Sequence, residues 1–482
     1  MSAEPPIPVR RRDVGLRSER GPILLALMVS TGLIAIDATI LATAVPSVVA
    51  DLGGFSSFPW LFSVYLLAQA VSVPLYSKLA DTVGRKPMLL LGIALFLLGS
   101  ILCGFAPSMI LLIVFRAVQG IGAGAILPIA ITVAGDIYTV AERAKAQGYL
   151  ASVWAISSVV GPTLGGVFSQ FLSWRWIFFV NIPLCFLAAW LLRRYHEKIE
   201  RKRHSIDYAG SAVLTVGLTA LLLGLLEGGT AWPWLSAPSA AVFAVAVIAG
   251  PVFVWLERRA AEPVLPLWVL SRRLLLTTGL VSAGVGAVVT GLTSYVPNFL
   301  EKVGSATPLV SGLALAALTI GWPLAASNAG RLYLRIGFRP TALLGCVVAA
   351  AGTIALALLA PLASVPLTAL TCFVVGLGMG LVATPALIAA QSSVGWADRG
   401  VVTGAGMFLR SIGSAIGVAV FGAIANAVLN ASGGPDRAAT AAASSAVFDS
   451  VVVAGLATLV AAIFMPQTRA EHAPARAAAE PA

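Results

Sequence analysis

About fourteen apolar runs, each roughly 20 residues or longer, dominate this chain, at 22–46, 59–79, 88–107, 109–135, 146–171, 175–194, 208–228, 238–257, 274–299, 308–333, 341–361, 365–389, 402–428 and 446–466. A helix of about 20 apolar residues crosses a hydrocarbon core about 30 Å thick. So many runs leave little choice but an all-α polytopic bundle in a bilayer. The runs are too long, and too helix-like in spacing, for the alternating strands of a barrel. With 59% hydrophobic and 11% charged residues, a soluble fold of 482 residues has too little polar surface to cover its apolar one. The first run is about 25 residues long and has no clear small-residue cleavage site, so it reads as a span and not as a cleavable signal.

Basic residues set the expected orientation. Arg10, Arg11, Arg12, Arg17, Arg20, Lys78, Arg85, Lys86, Arg143, Lys145, the cluster at 193–203, Arg258, Arg259, Arg272, Arg273, Arg331, Arg335, Arg339, Arg399, Arg469 and Arg476 fall on one side. Arg175, Lys302 and Arg437 fall on the other. The crowded side is expected to be cytoplasmic, with both termini there, in a bacterial inner or plasma membrane. Residues 1–20 read as a basic cytoplasmic tail and 467–482 as a disordered Ala/Pro-rich one. The net charge of +11 then reflects topology, and no nucleic-acid partner is expected. Cys103, Cys185, Cys346 and Cys372 lie in apolar runs without paired spacing and read as small packed hydrophobes. His196, His204 and His472 fall in loop or tail, giving no metal site. No phosphate-binding loop is present, so no cofactor is expected and an ion gradient is the natural energy source.

A short charged loop follows the second run: Ser77-Lys78-Leu79-Ala80-Asp81-Thr82-Val83-Gly84-Arg85-Lys86-Pro87. A degraded copy, with Gly337 and Pro340 in register with Gly84 and Pro87, follows the tenth run. Loops repeated in two halves of a membrane chain point to internal duplication. A plain six-helix repeat puts the copy after the eighth run, so two helices are inserted. The expected order is 6+2+6: a six-helix bundle at 21–195, two inserted peripheral helices with their flanking loops at 196–273, and a second bundle at 274–466.

Asp37 sits near the middle of the first run. A charge at the bilayer centre costs about 2.5–3.5 kcal/mol, so it must face a cavity or a partner. A carboxyl so placed suits proton binding and release. The plainer reading is a structural carboxyl bonded to Thr39, Thr43 or another helix. Arg116 and Gln119 lie one turn apart on one face of the fourth run, where arginine can steer a carboxylate or hold an anion but cannot carry the proton. Asp81, Gly84, Arg85 and Lys86 suit a cytoplasmic latch that holds one conformation. Gly161, Pro162, Gly165 and Gly166 give the fifth run a kink and close packing. Trp174-Arg175-Trp176 opens the sixth run as an aromatic interface. Tyr65, Gln69, Gln119, Trp154, Tyr295, Asn298 and Trp322, with Asp37, are candidates for lining a substrate cavity, although packing explains each alone equally well. Arg410 in the thirteenth run can meet an anionic substrate, a lipid headgroup or the cytoplasmic gate.

Taken together these motifs resemble the major facilitator superfamily, and within it the fourteen-helix drug:proton antiporter family, over about residues 20–466. The 77–87 loop resembles the superfamily's loop 2–3 motif, with Ser77 where members usually carry glycine. Asp37 through Pro46 resembles the family's first-helix motif, Arg116-x-x-Gln119-Gly120 the helix-four motif, and Gly161-Pro162-x-x-Gly165-Gly166 the antiporter motif. Leu334 stands where the second loop copy needs Asp, so no latch is expected there. The resemblance implies a major-facilitator fold and a monomeric, proton-coupled exporter of hydrophobic or cationic drugs by alternating access, with multidrug efflux and antibiotic resistance as its setting. It also implies proton coupling through Asp37 and Arg116. The rival readings are export of a lipid, an endogenous metabolite or a self-made antibiotic, and, more remotely, a receptor or scaffold. No nucleophile–base set or metal cluster points to an enzyme.

Overall fold

The computed structural model describes residues 15–467 except 139, 196, 198–206, 230, 262, 396–398 and 433–435; the side chains at 55, 74, 77, 78, 81, 82, 135, 136, 140–145, 147, 148, 151, 155, 158, 399 and 400 also lie outside it. Both expected tails fall largely outside this range. The first bundle holds α1 (Gly21–Leu52), α2 (Pro59–Val83), α3 (Arg85–Gly104), α4 (Met109–Ile137), α5 (Val140–Phe171), and the short α6 (Trp176–Phe179) continued by α7 (Asn181–Leu192). An inserted pair follows, α8 (Tyr208–Glu227) and α9 (Ala237–Glu257), then a short α10 (Leu267–Ser271). The second bundle holds α11 (Arg273–Lys302), α12 (Pro308–Ile336), α13 (Phe338–Leu359), α14 (Val365–Ser392), α15 (Arg399–Ala431) and α16 (Arg437–Ile463). Twelve described helices are long and apolar enough to cross a bilayer, and the shorter apolar helices Pro59–Val73 and Trp176–Leu192 complete the 6+2+6 order.

Two helices start earlier than the apolar runs. α16 begins at Arg437, where Asp436 accepts a hydrogen bond from the Ala439 amide at 2.6 Å and an alanine-rich stretch follows. Alanine favours helix without adding much hydropathy, so the apolar signal underestimates the helix. α5 begins at Val140 and carries Glu142, Arg143 and Lys145 in its first turns, again helical but not apolar.

The two bundles repeat one packing scheme. α1 packs on α5, α2 on α4 and α3 on α4; likewise α11 packs on α15, α12 on α14 and α13 on α14. The loop repeat marks matching breaks. Gly84 (φ 117°) separates α2 from α3, and Gly337 (φ 95°) separates α12 from α13. Side chains other than glycine are strained there, which explains why glycine survives in the degraded copy.

Between the halves, α1 meets α11, α5 meets α12 and α2 meets α15. The close approaches cluster at the end opposite the Gly84 loop. The Phe58 and Tyr295 rings pack edge-on at 5.4 Å, and Asn426 donates to the Ser56 carbonyl at 3.0 Å. A Cβ on Gly166 would stand 2.7 Å from Leu309 Cα, and one on Gly312 would stand 2.8 Å from Pro162 Cβ. One apolar core there runs through both halves, including Val45, Phe58, Leu61, Phe299 and Leu315. Toward the basic face, a separate core consists of first-half residues alone. The molecule is sealed at the far face; toward the basic one, Ala70 alone among the described first-half residues joins a core cluster with the second half.

Of the inserted pair, α9 packs chiefly on α8 at the periphery, whereas α8 reaches the bundles. α8 packs on both α2 and α15, with Leu222 and Leu226 in one cluster with Leu67, Ala415 and Ala419. Trp60 on α2 donates to Glu227 at 2.8 Å, and Asn430 on α15 donates to the Gly229 carbonyl at 3.0 Å. α8 therefore lies over the α2–α15 seam.

Candidate functional site

Asp37 of the first run meets the Arg116–Gln119 pair of the fourth in the middle of the first bundle. Arg116 Nη1 donates to Asp37 Oδ2 at 2.8 Å and to Gln119 Oε1 at 2.7 Å. Gln119 Nε2 donates to Asp37 Oδ1 and to Ser100 Oγ, both at 2.8 Å. Arg116 Nε donates to the Leu61 carbonyl at 3.2 Å, and Asn181 Nδ2 donates to Ser100 Oγ at 3.0 Å. The Tyr65 ring lies beneath the guanidinium, 4.0 Å from Cζ. Asp37 and Arg116 are each 1% exposed, and Gln119, Ser100 and Asn181 are fully buried.

The helices must come unusually close for this to form. A Cβ on Gly99 would fall 2.5 Å from the Gln119 backbone nitrogen, and one on Gly120 would fall 2.5 Å from the Tyr65 carbonyl. These glycines bring α3 and α2 against α4, so that Ser100 and Tyr65 reach the arginine and glutamine. A buried charge left alone is very costly; here each charge has a counter-charge and further hydrogen bonds. The cation–π contact adds up to about 2 kcal/mol when desolvated. Of the partners the plainer reading offered, Asp37 takes another helix, through Arg116 and Gln119 of α4, and neither Thr39, which donates to the Ala35 and Ser157 carbonyls, nor Thr43, which donates to that of Ile40.

The antiporter-like segment lies beside this centre. Gly161 and Gly165 face Thr39, Thr43 and Ile40 on α1, while Gly166 and Pro162 face Leu309 and Gly312 on α12. One turn of α5 therefore touches both the helix that carries Asp37 and the seal between the halves.

At the basic face, the carboxylate that meets the start of α3 is Glu197, which sequence reading did not single out. It accepts from the amides of Arg85 at 2.8 Å and Lys86 at 3.0 Å. Lys86 Nζ donates to the carbonyls of Tyr195 at 2.6 Å and Arg193 at 3.1 Å. Burial, and then the Glu197 charge, push the Tyr195 phenol above its ordinary range. The Asp81 side chain lies outside the described residues. At the far face, Asp51 takes bonds from Arg175 at 2.7 Å and Trp174 at 3.0 Å, fixing the end of α1 to the start of α6.

The cavity candidates scatter. Tyr65 and Gln119 belong to the ionic centre; Gln69 and Asn298 are buried; Tyr295 packs in the seal, away from any open wall. Trp154 is exposed, and half-buried Trp322 carries the Arg410 guanidinium at 4.8 Å. The four cysteines are free and buried, and among the described residues no group of His, Cys, Asp and Glu could hold a metal.

Two duplicated helical bundles, joined at one face and built around a buried ionic centre, define a membrane transporter and not an enzyme. The chain belongs to the Major Facilitator Superfamily, whose profile matches residues 27–418, and within it to the multidrug efflux type. It is 34% identical over 414 residues to the multidrug transporter protein MdtP of Bacillus subtilis, covering 86% of this chain and 76% of that one. It is 32% identical over 403 residues to multidrug resistance protein 3 of the same organism, covering 83% and 79%. Among solved structures, a peptide transporter POT in complex with sulfate superposes with a TM-score of 0.68 at 16% identity, over 93% of this chain and 96% of that one. A D-xylose–proton symporter gives 0.64 at 14%, over 92% and 96%.

Proposed function

We propose that the protein is a proton-coupled antiporter that exports hydrophobic small molecules by alternating access, from a bacterial plasma membrane with its basic face and both termini in the cytoplasm. The observation that carries this reading is the buried Asp37–Arg116 pair at 2.8 Å, the only ion pair among the described residues that lies inside the bundle. Protonating Asp37 removes the charge that Arg116 answers. Arg116 then keeps Gln119, the Leu61 carbonyl and the Tyr65 face, while α1 loses its ionic tie to α4. α1 bears on α5 through Thr39, and α5 bears on α12 at the seal, so movement of α1 reaches the far-face gate by direct contact. In this cycle the proton reaches Asp37 from outside and leaves to the cytoplasm. A proton moving inward gains about 2.3 kcal/mol per 100 mV, and about 1.4 kcal/mol suffices for tenfold accumulation. The Glu197 cap and the Lys86 bonds at the start of α3 fit a latch that holds the cytoplasmic ends of α3 and α7 together. The MdtP and multidrug resistance protein 3 relatives support the export direction.

The test uses Asp37→Asn in proteoliposomes. Efflux driven by an imposed pH gradient should fall to background, while exchange without a gradient persists. Wild-type gradient-driven efflux in that variant removes Asp37 from the mechanism.

A further inference from the structure

α5 meets α12 and α2 meets α15, so a line from α15 to α12 crosses the face that the second bundle turns toward the first. Arg410 on α15 extends along that line, and its guanidinium lies over the Trp322 indole of α12. Arg410 is exposed although its guanidinium lies on that line between α15 and α12, as a side chain standing in an internal cleft is. Ala415, little more than a turn further toward the far face, accepts a hydrogen bond from Ser63 across the halves at 3.3 Å. Arg410 thus stands at the inner end of the cleft, just beneath the seal.

Its charge is unanswered. Among the described residues no carboxylate pairs with Arg410. Arginine keeps its charge in proteins, so the exposed guanidinium is a standing positive charge in the cleft. Meanwhile Asp37 offers a cation nothing: it is 1% exposed, and Arg116 and Gln119 occupy both its oxygens. The described charge at the inner end of the cleft is therefore positive. Stacking on an indole also turns the planar N–H edge of the guanidinium away from the ring, where it can meet a carboxylate or sulfonate in two parallel bonds. The half-buried indole supplies apolar surface beside it.

We propose that Arg410 and Trp322 form a subsite for organic anions with a flat apolar body. The guanidinium takes the anionic group and the indole rim takes the ring. This deepens the export reading, on which it rests, by giving the cargo a charge opposite to the cationic one expected from family resemblance.

The test is binding by calorimetry, on the full chain in neutral micelles without any gradient, of two flat aromatic ions of similar size: 2-naphthalenesulfonate and N-methylquinolinium. The wild type should prefer the sulfonate by about tenfold or more. Arg410→Gln should reduce that preference to within about twofold, Arg410→Lys should retain part of it, and Trp322→Leu should weaken the sulfonate severalfold without reversing the preference. Equal or tighter quinolinium binding by the wild type overturns the proposal. So does an unchanged sulfonate affinity in Arg410→Gln. If Arg410→Gln does not fold, the wild-type preference and the lysine variant decide. Phosphatidylglycerol added to the micelles should not displace the sulfonate; stoichiometric displacement reassigns the site to a lipid headgroup and overturns the soluble cargo. Because no gradient is applied, failure of the Asp37→Asn efflux test leaves this result unaffected.

Discussion

Two arginines stand deep in this protein, and the chain treats them in opposite ways. Arg116, in the first bundle, is 1% exposed and held by a carboxylate, a carbonyl, an amide and a phenol ring. Arg410, in the second bundle, is exposed and rests on an indole alone. They do not occupy equivalent places in the repeat: Arg116 belongs to α4, whose counterpart is α14, whereas Arg410 belongs to α15, the counterpart of α5. The repeat gives the two halves one frame, and each carries its deep arginine at a different place in it. A charge enclosed with its counter-charge organises helices; a charge left open at a cleft is available to something that arrives.

The contrast can be broken by measuring stability. Arg116→Gln leaves Asp37 buried without its partner and should cost about 3–5 kcal/mol in reversible unfolding in micelles, much of it recovered in the Asp37→Asn/Arg116→Gln double variant. Arg410→Gln should change stability by less than about 0.5 kcal/mol. Equal costs for the two single variants would mean that Arg410 is as structural as Arg116. The next effect concerns the seal. Gly166→Leu forces a side chain against the Leu309 backbone and should disfavour far-face closure. A cysteine introduced at Ser56 in a cysteine-free background should then react with an impermeant maleimide about tenfold faster, the mark of a population shift of about 1.4 kcal/mol. Unchanged labelling would show that closure does not depend on the α5–α12 contact. A cost well below that of losing Arg116 is expected of Trp60→Phe, which removes the bond to Glu227 and should cost about 0.5–1.5 kcal/mol in the same unfolding assay.

Hydropathy made the fold legible because each span declares itself locally, and the 6+2+6 order followed from where Gly84 and Gly337 fall. Asp37 and the Arg116–Gln119 pair were legible in the sequence, since a polar group in an apolar run needs a reason to be there. Ser100 and Asn181 sent the same signal more faintly; an uncharged hydroxyl or amide satisfies itself easily in a helix, and only the fold shows Ser100 joined to Gln119 and Asn181 joined to Ser100. Glu197 and Asp51 lie in or beside loops rich in ordinary polar residues, where nothing local marks the one that will cap α3 or hold Arg175. The position of α8 was least legible. Its apolar surface fits lipid as readily as protein, and only the packed arrangement shows that it bridges α2 and α15.

That bridge has a consequence for how the molecule meets its solvent. A duplicated bundle has two doors onto the bilayer, one at each seam where its halves adjoin. Here the chain has bolted one of them with its own helix, anchored on one jamb by Trp60 and on the other by Asn430. Among the described residues no further helix packs over the α5–α12 seam, so molecules dissolved in the membrane face a one-sided protein, open along the edge where Pro162, Gly166, Leu309 and Gly312 set how closely the halves meet.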